Sequence, residues 1–370
     1  MNIPRALIGG VLLGATALPM ALLNWPRVDQ HQNTFTGDFG RNLQAGMPEG
    51  SLFFGTGDLF CNSFLYQQSC LQQRSDLSLV NQDLLLRPWY VDQVRRRKTL
   101  RLPDRITVVD PNDESTLSKA WLDQNVGPSA RPARPGVVVT FTDETYRPAY
   151  RLLPLGIWSF VTPKGVPFDL RDWLGRYEAT ARQWDLRSLD HSYPETSWEL
   201  REQVFYVYAL GQLLGLREVA RYMEPDSAEA PGSTALTAPI RWQKSHGADL
   251  LAYEADFLRS FVADTLIATT PDVSAQIESR AMTLAQASLS MDSLNLQALQ
   301  AAAGLMAAVP RFQNLPAEAR IRARIVEQRP GSLGEVVPYL RLVVRIANDP
   351  TIRGRDEIVD GVLEIHAVDL

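Results

Sequence analysis

The stretch Gly50-Ser-Leu-Phe-Phe-Gly-Thr-Gly-Asp58 decides the fold of this chain. Ser51–Phe54 is a short apolar run bounded by glycines, and it reads as a buried strand. Gly55-Thr56-Gly57 then turns the chain into a segment, Asp58–Gln73, in which Phe60, Phe64, Leu65 and Leu71 fall near one stripe. That is the pattern of a helix with Asp58 at its N-cap. Downstream, Leu77–Val80 reads as a second strand and Trp89–Arg97 as a second helix. Ile106–Val109 and Val137–Phe141 are further β-branched runs, separated by Pro-rich turns such as Gly127–Gly136, and Tyr150–Thr162 is a strand interrupted at Pro154 and Gly156. Strands and helices alternating this quickly predict an α/β layer with at least one parallel strand pair.

After Phe168 the texture becomes helical. Trp198–Met223 carries Leu200, Val204, Val207, Tyr208, Leu214 and Leu216 on a broad apolar face and stops before Pro225. Amphipathic helices follow at Asp249–Ile267, Val273–Leu289, Ser293–Val309, Ala317–Gln328 and Leu333–Ala347, with breakers at Thr270-Pro271, Pro310 and Pro330-Gly331. Short breakers favour helical hairpins, a TPR-like array among the arrangements, although no strict repeat period is present. The expected organisation is α/β plus all-α. It comprises an anchor (1–25), a linker (26–48), an α/β domain (49–165), a helical domain (166–226), a second linker (227–245) and a helical-hairpin domain (246–370).

The 45% apolar and 21% charged residues are those of ordinary globular protein. A net charge of −5 and a pI near 5.5 leave no footprint for nucleic acid. The one dense basic run, Arg95–Lys98, sits at a helix C-terminus, where it complements the helix dipole. At the N-terminus Ala6–Trp25 carries no charge and, through Leu12 and Pro19, matches the length that a hydrocarbon core of roughly 30 Å requires. Ala15-Thr16-Ala17 resembles a cleavage site, but the apolar run continues past it to Trp25, a residue suited to the membrane interface. The expectation is a retained single-pass helix in a bacterial inner membrane, with the bulk of the chain on the periplasmic side. The segment holds no His, Asp, Glu or Lys to ligate a pigment or relay protons.

No catalytic, metal or cofactor constellation is evident. Gly55-Thr-Gly57-Asp58 lacks the third glycine of a dinucleotide fingerprint and the Gly-Lys-Ser/Thr of a P-loop. It reads as a tight turn with a cap, and less as a phosphate cradle. His31, His191, His246 and His366 have no metal-ligand spacing. Asp185, Asp190 and Glu195 form an acidic neighbourhood of unknown geometry. Trp158, Trp173, Trp184, Trp198 and Trp242 read as core before they read as a sugar platform. Cys61 and Cys70, on one helix, would lie ~13.5 Å apart along its axis, beyond the ~7 Å limit for a disulfide, and are expected as buried or half-buried thiols.

The run from Ser51 to Val94 resembles the soluble C-terminal region of a bacterial family of polytopic, glycosyltransferase-like membrane proteins related to protein O-mannosyltransferases. The likeness rests on Gly57-Asp58, Tyr66 with Gln68, Arg74-Ser75-Asp76, Val80-Asn81 and Trp89-Tyr90. A second block, Phe141-Thr142, Tyr150-Arg151-Leu-Leu-Pro-Leu-Gly156 and Phe160-Val161, continues it, and Ala209-Leu-Gly-Gln-Leu-Leu-Gly215 does so more loosely. Two departures stand out. Leu59 and Phe60 replace the polar and acidic residues that follow Gly-Asp in the family, and one apolar segment stands in place of a many-helix membrane body. The resemblance therefore implies the fold without carrying sugar transfer across. The reading that follows is a non-enzymatic, membrane-anchored accessory or scaffold subunit of a larger membrane complex, respiratory or photosynthetic for example, without cofactor. The alternative is an envelope-glycan binding or processing protein.

Overall fold

The computed structural model describes residues 15, 18–20, 22, 34–85, 87–96, 121–126, 136–140, 146, 149–190, 193, 197–223, 244–263 and 270–352. At its centre lies a five-stranded mixed sheet in the order β2-β1-β3-β5-β4. Strand β1 (Leu52–Gly55) pairs in parallel with β2 (Ser78–Asn81) and with β3 (Val137–Val139). The expected interrupted strand resolves into an antiparallel hairpin, β4 (Tyr150–Pro154) and β5 (Ser159–Pro163), turning at Gly156 with φ +82°. β5 then joins β3 antiparallel. Because β1 is central and covered on both faces, every one of its residues is buried, which is why it reads as an unbroken apolar run.

The pleat divides β1 between two cores. Phe53 joins Leu79, Val138 and Leu153 on one face, and Leu52 and Phe54 join Val80, Val137 and Val139 on the other. Helix α1 (Phe35–Gln44) and helix α2 (Asp58–Ser69) cover the first face, where Phe53 stacks on Phe64 at 5.0 Å. Helix α3 (Pro88–Arg96) contributes Tyr90 and Val94 to the second, with Trp121 edge-on to Phe54 at 6.3 Å.

Helix α1 occupies a stretch expected to be a polar linker. Its sequence, FTGDFGRNLQ, has low intrinsic helix propensity, with two glycines. Burial overrides this: Phe35, Phe39 and Leu43, four residues apart, are fully covered, worth about 1.5–3 kcal/mol each. Gly40 allows the approach, since a Cβ there would stand 2.7 Å from the Ser63 carbonyl oxygen. Phe39 and Phe60 are 5.5 Å apart and Phe60 and Phe205 4.8 Å, binding α1 and α2 to the helical half. Asn42 supports the same joint, donating to the Tyr206 hydroxyl and the Asp185 carbonyl at 2.8 Å each while accepting from Asp185 N–H at 2.7 Å.

The helical half begins with α4 (Leu170–Ala181) and α5 (Trp198–Met223), the latter with the expected bounds. It continues through α6 (Lys244–Ala263), α7 (Pro271–Met291), α8 (Leu296–Ala308), α9 (Leu315–Gln328) and α10 (Leu333–Ala347). Thr270, Asn295 and Asn314 cap α7, α8 and α9 through their side-chain oxygens, and this sets the breaks between hairpins. Helix α6 packs on α5, α7 and α8, α8 on α9, and α9 on α10. One core runs from Phe35 through the first sheet face to Val309.

The anchor expected over Ala6–Trp25 falls mostly outside the described residues, including Ala6, Leu12 and Trp25; Ala15, Leu18, Pro19, Met20 and Leu22 are described as helical and exposed. Among the described residues no helix is long and apolar enough to cross a membrane. The single transmembrane helix is therefore corrected out of the fold class, and with it the placement as a single-pass inner-membrane protein with a periplasmic bulk. The expected strand at Ile106–Val109 also lies outside the described residues.

Candidate functional site

The order β2-β1-β3 creates a switch point. From β1 the chain moves through α2 to β2 on one side, and it later returns to β3 on the other side of β1. In open α/β sheets the crevice at the carboxyl ends of strands flanking such a point is where ligands sit. Here that rim is built by Gly55–Asp58 after β1, Asn81–Asp83 after β2 and Thr140 after β3.

Its geometry is held by side chains distant in sequence. Thr56 N–H donates to Thr140 Oγ1 at 3.1 Å, and Gly57 N–H donates to Asp83 Oδ2 at 2.7 Å. Asp83 is itself positioned by its N–H on Asn81 Oδ1 at 2.9 Å, while Asn81 N–H donates to the Tyr90 hydroxyl at 2.7 Å. Gln82 Nε2 reaches the Phe54 carbonyl at 3.2 Å. Gly57 has φ +79°, a region that costs a residue with Cβ, and Gly55 lets α2 approach, its missing Cβ lying 3.0 Å from Cys61 Sγ. Among the described residues, buried Thr56 Oγ1 has no hydrogen-bond partner.

Asp58 was expected as the N-cap. Gly57 holds that position instead, and Asp83 supplies the capping carboxylate from across the rim. Asp58 is the first helical residue, exposed, favoured there by the helix dipole. Both carboxylates face Cys61: burial foremost, then Asp83 and Asp58, push its thiol up to about 12. The rim thus gathers the Asp58 and Asp83 carboxylates and the Thr140 hydroxyl from the carboxyl ends of three neighbouring strands.

The remaining resemblance residues divide by duty. Arg74, at φ +50°, donates from Nη1 to the Gln44 carbonyl at 3.1 Å and from Nη2 to the Met47 carbonyl at 2.9 Å, closing the end of α1. It also pairs with Asp76, which accepts the Gly50 N–H; the Arg74 guanidinium holds the Asp76 carboxyl below the usual carboxylate range. Gln68 binds the Arg74 and Leu77 carbonyls. Tyr90 is buried against β2. By contrast Tyr66 and Trp89 are exposed, Trp89 at 60%. Trp89 opens α3 on the rim side of the sheet, because α2 follows β1 and the 3-10 turn Gln82–Leu84 with α3 follows β2, both from carboxyl ends.

The other sequence candidates are structural or lie outside the described residues. Trp158 Nε1 donates to the Leu43 carbonyl and Trp173 Nε1 to the Pro154 carbonyl, both at 2.8 Å, and Trp184 is buried beside Tyr206. Trp198 lies edge-on to Phe35 at 5.5 Å. Asp185 is ion-paired with Arg187 and Arg41, and Arg187 holds its carboxyl low. His246 is buried, which lowers its pKa. His31, His191, His366, Glu195 and Trp242 are outside the described residues. Among the described residues no group of three or more His, Cys, Asp and Glu gathers to hold a metal ion. Both thiols are free, and Cys70 is exposed, not half-buried as expected.

The chain is similar to Protein O-mannosyl-transferase TMEM260 of Mus musculus, 25% identical over 202 residues, covering 51% of this chain and 28% of that protein. It is likewise similar to Protein O-mannosyl-transferase tmem260 of Dictyostelium discoideum, 24% identical over 179 residues, covering 48% of this chain and 22% of that protein. The chain therefore spans about a quarter of the length of these curated relatives. No family profile matches it, and no solved structure does. These similarities correct the expectation of a non-enzymatic accessory or scaffold subunit: the similar proteins are named as transferases, which are enzymes.

Proposed function

We propose that this protein works on glycan, as a glycosyltransferase-related module that binds or processes mannose-bearing chains, and that the rim of the sheet is its contact with sugar. The similarity to two protein O-mannosyl-transferases over half the chain carries the reading. The rim's chemistry suits it. The Asp58 and Asp83 carboxylates and the Thr140 hydroxyl complement the vicinal hydroxyls of a pyranose, and exposed Trp89 offers an apolar ring face for stacking. Asp58 supports it further, being a resemblance residue whose carboxylate has no hydrogen bond or ion pair among the described residues. The residues bind and orient in this scheme, with Asp83 fixed by the Gly57 amide and Asp58 the solvent-facing carboxylate.

The test is titration of the full chain with manno-oligosaccharides and mannosylated peptides, beside an assay for mannosyl transfer to peptide. Wild type should bind or transfer, and Asp58→Ala should weaken either about tenfold, as loss of one or two charged hydrogen bonds predicts, while lowering stability by no more than the ~1 kcal/mol of its dipole interaction. Absence of both binding and transfer, or full activity in an Asp58→Ala/Trp89→Ala double variant, overturns the reading.

A further inference from the structure

Helix α10 is the last of the described helices, and its two sides differ. Its inner side is covered: Tyr339 and Val343 pack on Val326 of α9, and Leu342 and Ile346 on Ala319. Its outer side carries Val337, Leu340 and Val344 at 38, 38 and 59% exposure, spaced i, i+3 and i+7. At 100° per residue these three form one stripe, opposite Ile346. Arg341 and Arg345 border the stripe one turn apart and line an open crevice of about 200 Å³ with Gln313 and Leu315. Among the described residues neither arginine makes a hydrogen bond or an ion pair. The nearby carboxylates are already engaged. Glu318, in the same crevice, is paired with Arg322 at 2.8 Å, and Asp349 accepts from Thr351 N–H and Oγ1 at 2.9 and 2.6 Å. The end of a helical array needs an outer face suited to water, and an apolar stripe edged by unmatched positive charge is not one.

We infer that residues 356–370, the chain's own continuation beyond α10, dock on this face as an acidic amphipathic helix. Ile352 packs against the group formed by Ala319, Leu342 and Ile346, which holds the chain beside the end of α10. The eight residues from 348 to 355 are enough to reverse its direction. Residues 353–370 lie outside the described residues, and their sequence supplies the complement of the face. Ile358, Val362 and Ile365 repeat at i, i+4 and i+7, with Val359 and Leu363 beside them. Asp356, Asp360 and Glu364 recur every fourth residue on the other side. Fifteen residues of helix span about 22 Å, the length of the fifteen-residue α10, so an antiparallel return covers the stripe end to end. The apolar row then meets Val337, Leu340 and Val344, and the carboxylates reach Arg341 and Arg345. A second copy of the chain fits worse, because stripe-to-stripe contact across a two-fold sets each copy's arginines against the other's. This docking does not depend on the rim or on sugar.

The experiment is native-state hydrogen exchange of the full chain, read by mass spectrometry on peptides covering 356–370 and on those covering α5 to α9. Wild type should show protected amides over 356–370. Leu340→Ser/Val344→Ser and Arg341→Glu/Arg345→Glu should each speed that exchange about tenfold and leave α5 to α9 unchanged, since all four side chains are exposed in the described fold. Adding Asp360→Arg/Glu364→Arg to the arginine variant should restore protection, which a merely damaged α10 would not allow. Unprotected amides in wild type, protection indifferent to both variants, or failure of the charge swap to rescue overturns the inference. So does a dimer in sedimentation that Leu340→Ser/Val344→Ser abolishes, which would assign the face to a second copy.

Discussion

Glu254 gives the sharpest test of the helical core. It lies on α6 between α5 and α7, 4% exposed, and its nearest cationic partner, Arg280 Nη2, is 3.7 Å away. That distance is too long for a strong hydrogen bond, and Arg280 is shared with Glu218, 3.9 Å from its Nε. Burial therefore dominates. It raises the Glu254 carboxyl from 4.5 to about 7, against the pull of Arg280 and with a smaller push from Glu218. Below pH 4.5 the group is protonated in both folded and unfolded chains and costs nothing. As pH rises toward 7 the unfolded chain releases the proton while the folded chain keeps it, so stability falls; above 7 the loss is complete. The gap corresponds to about 3 kcal/mol. Glu254→Gln keeps the shape and removes the charge, so it should stabilise the protein by up to about 3 kcal/mol at pH 8 and by almost nothing at pH 4.5. The assay is urea unfolding of both proteins across that range, followed by tryptophan fluorescence. A difference independent of pH, or a variant less stable than wild type at pH 8, would show that the ion pair outweighs desolvation and that the reasoning fails.

Two further outcomes follow from packing. Gly211 lies where α5 crosses α6, and a Cβ there would stand 2.8 Å from Tyr253 Cβ and 3.0 Å from the Glu254 amide nitrogen. Gly211→Ala should cost about 1–3 kcal/mol by overpacking, read as a lower urea midpoint, and a neutral result would deny the close crossing. At pH 8 a thiol reagent should label Cys70 alone in the native protein, with Cys61, buried and raised to about 12, reacting only after unfolding; equal native labelling rates would contradict the burial.

The sequence revealed most where structure is locally determined. Helix α5 was legible because twenty-six residues of broad apolar face end at a proline, and β1 because a central strand must be apolar on both faces. Helix α1 was hidden because its propensity is poor and its stability comes from Phe39, Leu43 and Gly40 meeting partners elsewhere in the chain. The rim was half legible. Gly55-Thr-Gly57-Asp58 announced a strand-to-helix turn, but its cap comes from Asp83, 26 positions away, and its Thr140 contact spans 84. One signal pointed to Asp83: it follows the second strand of a parallel pair, where the carboxyl end must lie beside that of the first.

Resemblance and chemistry separate along the same lines. Arg74 and Asp76 spend their hydrogen bonds on the Gln44, Met47 and Gly50 backbone, and Tyr90 spends its hydroxyl on the end of β2. A chain needs these residues to build this sheet whatever it binds, so their presence speaks for the fold. Asp58 and Trp89 are different, because neither closes a loop or fills a core. Trp89 packs its edge against Tyr90 at 5.7 Å yet leaves most of its apolar area in water, while a carboxylate at a helix N-terminus contributes at most about 1 kcal/mol through the dipole. Their shared place on the carboxyl rim suits the sugar contact proposed above, since a polyhydroxylated ring can use a carboxylate and an indole face together.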